Sequence, residues 1–280
     1  MKKLQNGRYS GERALYASFE LEIEDSLFFD GESPLKESSD IRLDRCEFQW
    51  KYPLWYCDNI DATECVLKDT ARSGIWYTKN INMTNCEIEA PKTFRRSSNI
   101  ALCHVRMPNA EESLWNCERV ELSDVYVRGD YFGMGSSDVS ADRLNVDGNY
   151  LFDGGKNITV NNSRLISKDA FWNCENVTVT DSIIVGEYLG WNSKNVTFIN
   201  CTIESNQGMC YMQNVTLKGC KLVNTDLCFE YCTVDAEINS DVVSVKNPIS
   251  GRIVAERIGE IILDPACVDV TKTEITEVKK

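Results

Sequence analysis

The chain has 280 residues, 42% of them hydrophobic, with six Pro and sixteen Gly, so a sizeable core is available and the composition argues against disorder. A net charge of −13 sets long-range repulsion against phosphate backbones and anionic membranes, which leaves neutral, cationic or metal-bridged small ligands as partners. No stretch reaches the roughly 20 apolar residues of a spanning helix.

The first nineteen residues, MKKLQNGRYSGERALYASF, contain no apolar run after the two lysines and are expected to cap the fold in a cytoplasmic protein. From Glu20 onward a nine-residue phrase recurs, of the form N-h-x-h-x-x-C-x-h, where h is aliphatic or aromatic. Its clearest copies are Asn80 to Ile88, Asn157 to Leu165, Asn176 to Ile184, Asn195 to Ile203 and Asn214 to Leu222. Weaker copies start at Glu20, Asp40, Asn59, Asn99, Arg119, Asp138 and Thr233, and all the starts are spaced 19 to 21 residues apart. Such a period is the signature of a repeat architecture.

Within the phrase the apolar places are the second, fourth, seventh and ninth. Period two is strand, and the step of three marks a bend between two short strands. A further apolar segment precedes the phrase, as in Leu54-Trp55-Tyr56-Cys57 and Phe171-Trp172-Asn173-Cys174, and the period leaves no room for a helix. One turn cannot bury its inner face alone, so turns stack at roughly 4.8 Å into parallel sheets. The expected fold is therefore all-β, a single-stranded right-handed parallel β-helix of about 11–12 rungs, the hand following the bias of parallel crossovers. The expected organisation is one structural domain, with a cap at 1–19, repeats at 20–241, and closing strands with a polar tail at 242–280.

Stacking sorts the side chains into columns. Cys46, Cys65, Cys86, Cys201 and Cys220 share the seventh place with Val105, Ser163 and Ser182, so the thirteen cysteines read as small buried residues and not as disulfides or metal ligands. The Asn at the first place reads as a turn residue in the left-handed region. His104, the only histidine, falls at a turn place and is expected on the surface.

Four residues before each phrase lies a column expected to face outward: Lys36, Trp55, Trp76, Arg95, Trp115, Met134, Asp153, Trp172, Trp191, Cys210 and Phe229. Five of the six tryptophans fall in it. Rows of flat rings beside polar groups hold sugar rings, and they also stack on one another as structure. Seven and eight residues before the phrases, Asp130-Tyr131, Asn149-Tyr150, Lys168-Asp169 and Glu187-Tyr188 form a second row.

Asp153, Asp169 and Glu187 are expected within one or two rungs of one another, a separation that suits paired catalytic carboxylates or a divalent cation. Lys168 is a candidate base, or an anchor for a carboxylate, a role shared with Arg128. Trp115, Trp172, Trp191, Tyr150, Tyr188 and Asp130 are the candidate saccharide contacts. The one cofactor this row suggests is a divalent cation. Arg128-Gly129-Asp130 reads as an ordinary turn.

Tyr150-Leu-Phe-Asp-Gly-Gly-Lys-Asn157, Asp169-Ala-Phe-Trp-Asn-Cys174 and Glu187-Tyr-Leu-Gly-Trp-Asn-Ser193 resemble a bacterial family, domain of unknown function 3737, over nearly the whole chain. The resemblance implies a pectin-lyase-like right-handed β-helix and supplies no established activity. The signatures of the pectate lyases and polygalacturonases that share that fold, paired Asp with a downstream His and an Arg-Ile-Lys run, do not occur here. Two functions follow as expectations. One is a carbohydrate-binding or carbohydrate-active protein, a hydrolase or lyase, working along the Trp and Asp153 row. The other is a non-catalytic scaffold in which that row is a binding or homo-oligomer surface.

Overall fold

The phrase folds as its periodicity dictates. In the computed structural model, which describes residues 1–278, Ser39–Asp44 is a strand whose second and fourth phrase places, Ile41 and Leu43, are buried while Arg42 between them is exposed. The seventh and ninth places, Cys46 and Phe48, are buried beyond the bend. β-branched and aromatic residues suit such a half-buried pleat.

The backbone groups into two compact units, residues 1–145 and the residues from Val146 on. In the first unit the six-residue strands Phe19–Glu24, Ser39–Asp44, Asp58–Thr63, Lys79–Thr84, Ser98–Cys103, Glu118–Ser123 and Ser137–Asp142 pair in parallel, each in register with the next turn. A short ladder of two- and three-residue strands, from Leu27–Phe28 to Tyr126–Arg128, runs alongside. The stretch expected as a cap carries Lys2–Gln5 and Arg8–Tyr9, which extend both ladders by one turn.

The second unit repeats the plan. Lys156–Asn161, Glu175–Thr180, Lys194–Ile199, Gln213–Leu222, Thr233–Ile238, Ser250–Ala255 and Thr273–Glu277 form its long parallel ladder. Arg164–Ile166, Ile183–Glu187 and Thr202–Asn206 form the short one, and Asp241–Lys246 pairs separately with Arg257–Ile262. Together the units hold about 15 turns, more than the 11–12 expected, because Lys2–Gln5, Ser250–Ala255 and Thr273–Glu277 are turns that lack the phrase. No helix long and apolar enough to cross a membrane occurs among the described residues.

The columns explain the composition. Each first-place residue from Asp40 to Asn214 has a positive φ, between 54° and 59°. The exposed amides then bridge the turns: Asn99 Nδ2 donates to Asn80 Oδ1 at 2.6 Å, and Asn214, Asn195, Asn176 and Asn157 form an unbroken chain at 2.9–3.0 Å. His104 sits at the sixth-place corner with φ 53°, exposed as expected.

Small polar side chains line the inner corners and accept from backbone amides. The N–H of Cys65 donates to Cys86 Sγ at 3.4 Å, and that of Ser163 to Ser182 Oγ at 3.0 Å. In the column two places before the phrase, Cys57 N–H donates to Thr78 Oγ1, Cys117 N–H to Ser136 Oγ and Met212 N–H to Cys232 Sγ. Backbone amides at a buried bend have no ladder partner, and a Cys, Ser or Thr from the next turn supplies one. All thirteen cysteines are free thiols, and only Cys103 and Cys267 are not buried.

Candidate functional site

The tryptophan column is built by the sharp corners that separate it from the long ladder. In the first unit, Trp55 and Trp76 stack with centroids 5.1 Å apart and planes within 7°. The Arg95 guanidinium lies between the next two rings, 4.6 Å from Trp76 and 4.5 Å from Trp115. Each indole N–H is tied inward: Trp55 to the Ser73 carbonyl at 2.6 Å, Trp76 to Lys92 at 2.9 Å and Trp115 to Tyr131 at 2.7 Å. Stacked faces and a satisfied N–H make this stretch a structural ladder.

Arg128 is exposed at the end of its short strand. The following Gly129 has φ +142°, and a Cβ there would lie 2.6 Å from the Glu111 nitrogen, so the Arg-Gly-Asp tripeptide is the corner its sequence suggested. The Asp130 carbonyl accepts from the Glu112 N–H at 2.9 Å.

The column departs from expectation at two places. Cys210 and Phe229 are wholly buried. The Cys210 thiol turns to the Gln207 and Gly208 carbonyls. The turn carrying Phe229 is one residue shorter between its corner and its strand. Tyr231 therefore lies beside Tyr211, the rings tilted by 37° at 5.6 Å, and Glu230 takes the counted place, paired with Lys246 at 2.8 Å.

In the second unit the structure brings together Tyr150, Asp153, Lys168, Asp169, Trp172, Glu187, Tyr188 and Trp191. Trp172 and Trp191 are parallel within 8° at a wider spacing of 5.7 Å, and Tyr150 meets Trp172 edge-on at 6.1 Å. Tyr188 meets Trp191 at 5.1 Å, and both indoles donate to carbonyls, of Tyr188 at 2.7 Å and Gln207 at 2.9 Å. Asp153 accepts from Asn173 Nδ2 at 2.8 Å. Lys168 Nζ lies 3.1 Å from Glu187 and 5.3 Å from the Tyr188 ring centre, and the Glu187 hydrogen bond holds the ammonium above its ordinary pKa. A lysine so held stays protonated, which suits an anchor and not a base.

Asp169 is the unusual member. It is 2% exposed, and its Oδ1 has no hydrogen-bond partner. Burial raises its pKa, and the Glu187 and Asp153 carboxylates push the same way. The Lys168 charge and a hydrogen bond from the Tyr150 hydroxyl act in opposition. Asp169 thus feels two further carboxylates, yet no group of three or more His, Cys, Asp or Glu among the described residues is arranged to hold a metal ion. The cation reading therefore has no ligand set there.

One feature was not signalled by any motif. On the outer face of the first unit's long ladder, Asn82, Asn99, Arg119, Glu121 and Asp138 surround a groove of about 470 Å³. Its floor is low because Ala101 and Ser140 stand where neighbouring turns carry longer side chains.

A family model for a protein of unknown function (DUF3737) matches residues 2–276, and the chain belongs to that family. No curated protein matches it. Among solved structures it is similar to PfbA, a surface adhesin of Streptococcus pneumoniae, with 10% identity and a TM-score of 0.53 over 92% of this chain and 83% of that one. It is also similar to the A-module of mannuronan C-5 epimerase AlgE4 of Azotobacter vinelandii, with 8% identity and a TM-score of 0.33 over 99% and 90%. A tailspike of the E. coli bacteriophage HK620 aligns with 10% identity and a TM-score of 0.33 over 98% and 70%. The first likeness carries the fold, the right-handed β-helix.

Proposed function

We propose that this DUF3737 protein binds a neutral or cationic saccharide along the strip of its second unit from Tyr150 to Trp191. The observation that carries the reading is Asp169, a buried carboxyl with an unsatisfied oxygen among aromatic rings and two further carboxylates. An orphaned buried acceptor costs about 1–3 kcal/mol, and a saccharide hydroxyl or ammonium is a donor that would remove that cost. Ring edges of Tyr150, Trp172 and Tyr188 supply apolar contact for sugar C–H groups, while Asp153 and Glu187 accept from hydroxyls. The net charge of −13 selects against anionic glycans.

A finer reading attaches to the same residue. A carboxyl whose pKa is raised by burial is what a glycosidase uses as its general acid, with a second carboxylate, here Asp153 or Glu187, as the partner. The second class of function, a non-catalytic scaffold, is favoured by the first unit, where Arg95 and the stacked rings fill the faces a sugar would need.

Calorimetric titration with neutral and amino-sugar oligosaccharides tests the binding reading. It expects saturable binding that Asp169→Ala weakens at least tenfold, with Asp153→Ala and Glu187→Ala each weakening it less. Release of new reducing ends that stops in Asp169→Asn would add hydrolysis. Wild-type protein that binds no member of the panel would sink the proposal in favour of the scaffold.

A further inference from the structure

The two terminal turns of the long ladder have complementary edges. Among the described residues, Lys2–Gln5 pairs on one side only, with Phe19–Glu24, and Thr273–Glu277 on one side only, with Ser250–Ala255. Both pairings are parallel, so each strand presents a free row of N–H and C=O groups. An open edge of this kind is a template for another strand. The inward residues at these edges, Leu4 and Ile275, are half-buried where their counterparts inside the ladders, Ile23 and Ile253, are wholly buried.

The registers of the two edges match each other. At the far end of the second unit the outward column reads Asp235, Arg252, Glu274. At the start of the first unit the same column reads Lys3, Glu22, Arg42, Asp61. Each is an alternation of sign, and setting Glu274 beside Lys3 continues it without a break. The inward column does the same: Ala236, Ile253 and Ile275 on one side meet Leu4, Ile23 and Leu43 on the other. Two charged residues fall at inward places: Lys2, opposite Thr273, whose aliphatic stem can lie along the end of the core with the ammonium in water, and Glu277, in the column of the buried Ala255, whose carboxylate accepts from the Ile258 N–H at 2.7 Å.

The geometry points to a second copy of this chain as the occupant: the strand Thr273–Glu277 of one copy adds in parallel to Lys2–Gln5 of the next, in the register that pairs Glu274 with Lys3 and Ile275 with Leu4. Cross-strand pairs of opposite charge and of apolar residues each favour the addition, and like charges would oppose it. The contact is head-to-tail, so each added copy presents the same free edge again. It is independent of the saccharide strip, none of whose residues takes part.

Sedimentation velocity and light scattering over a concentration series test this on the full chain. Wild-type protein is expected to show a mean mass that keeps rising with concentration past the dimer. Lys3→Glu and Glu274→Lys should each abolish the rise at concentrations where wild type assembles. The double variant Lys3→Glu/Glu274→Lys should restore it, and so should mixing the two single variants, since each junction then regains opposite charges. The mixing arm separates a broken contact from a misfolded chain. A monomer at every concentration, a mass that stops at two, or an assembly that ignores the single substitutions would overturn the inference, as would a double variant and a mixture that both stay monomeric.

Discussion

The backbone N–H of Cys174 donates to the hydroxyl of Ser193, one turn further on, at 2.8 Å, and that hydroxyl donates in turn to the Phe171 carbonyl at 2.6 Å. One small side chain therefore satisfies a buried donor and a buried acceptor at once. Ser193→Ala would orphan both, at a cost of roughly 1–3 kcal/mol, while Ser193→Cys keeps the bridging geometry seen between Met212 and Cys232. Urea unfolding should show a clear loss of midpoint for the alanine variant and a smaller one for the cysteine variant.

The asparagine column makes a second, separable demand. Asn176 has φ 59°, donates to Asn157 and accepts from Asn195. Asn176→Ala loses the amide chain and the short polar side chain that lets Asn tolerate the left-handed region, costing about 1–2 kcal/mol. Asn176→Gly loses the amides but relieves the backbone. Its melting temperature is expected between those of wild type and the alanine variant, and an alanine variant as stable as wild type would contradict the ladder account.

Trp172 carries both a stacking and a hydrogen-bonding role. Trp172→Phe keeps a ring beside Trp191 and loses the donation to the Tyr188 carbonyl, worth about 0.5–1.5 kcal/mol. Trp172→Ala loses the ring as well and is expected to cost several times more. Paired thermal melts of the two variants check the order.

Asp169 sets a pH dependence whose sign is fixed by its raised pKa. The folded state holds this proton more tightly than the unfolded chain does. Its contribution to stability is therefore complete below the ordinary aspartate pKa and is lost as pH rises through the raised one. Asp169→Asn removes that loss. The variant should gain on wild type as the pH is taken from about 4 to neutrality, in a series of chemical denaturation curves. A gap between the two that does not change with pH would show that the carboxyl is not perturbed.

Thiol chemistry offers a fifth check. Burial pushes Cys57, Cys117, Cys174 and Cys210 up to about 12, and these thiols lie inside the coil. Cys267 is exposed and Cys103 partly so. Alkylation of the native protein near pH 8, read by peptide mass mapping, should mark Cys267 first, Cys103 more slowly and the remaining eleven only on unfolding.

The coil was legible because it is local. The phrase from Asn195 to Ile203 states its own strand, bend and corner, and its copies state the register. Positions fixed by neighbouring turns were harder to read. Counting back from Thr233 led to Phe229, because nothing within that stretch reveals that its corner is a residue short. The cysteines of the seventh place were recognisable as small and buried, but their alternation with serine has its reason in an amide of the adjacent turn. The orphaned oxygen of Asp169 belongs to the same class. A polar residue in an apparently solvated row is 2% exposed, and no periodicity reports how deep one side chain of a row lies. The groove beside Ala101 depends likewise on the longer Asn82 and Glu121 in the adjoining turns.

The side-chain chains that join Asn157 to Asn214 link residues 19 apart at every step. Within the nine-residue phrase, length is therefore fixed. Losing a single residue from the phrase would displace every column that passes through it, corner amides and inner hydroxyls included. Losing a whole 19-residue turn would bring like side chains together again and leave each column continuous. A deletion of residues 176–194 should accordingly fold where a deletion of Asn176 alone does not.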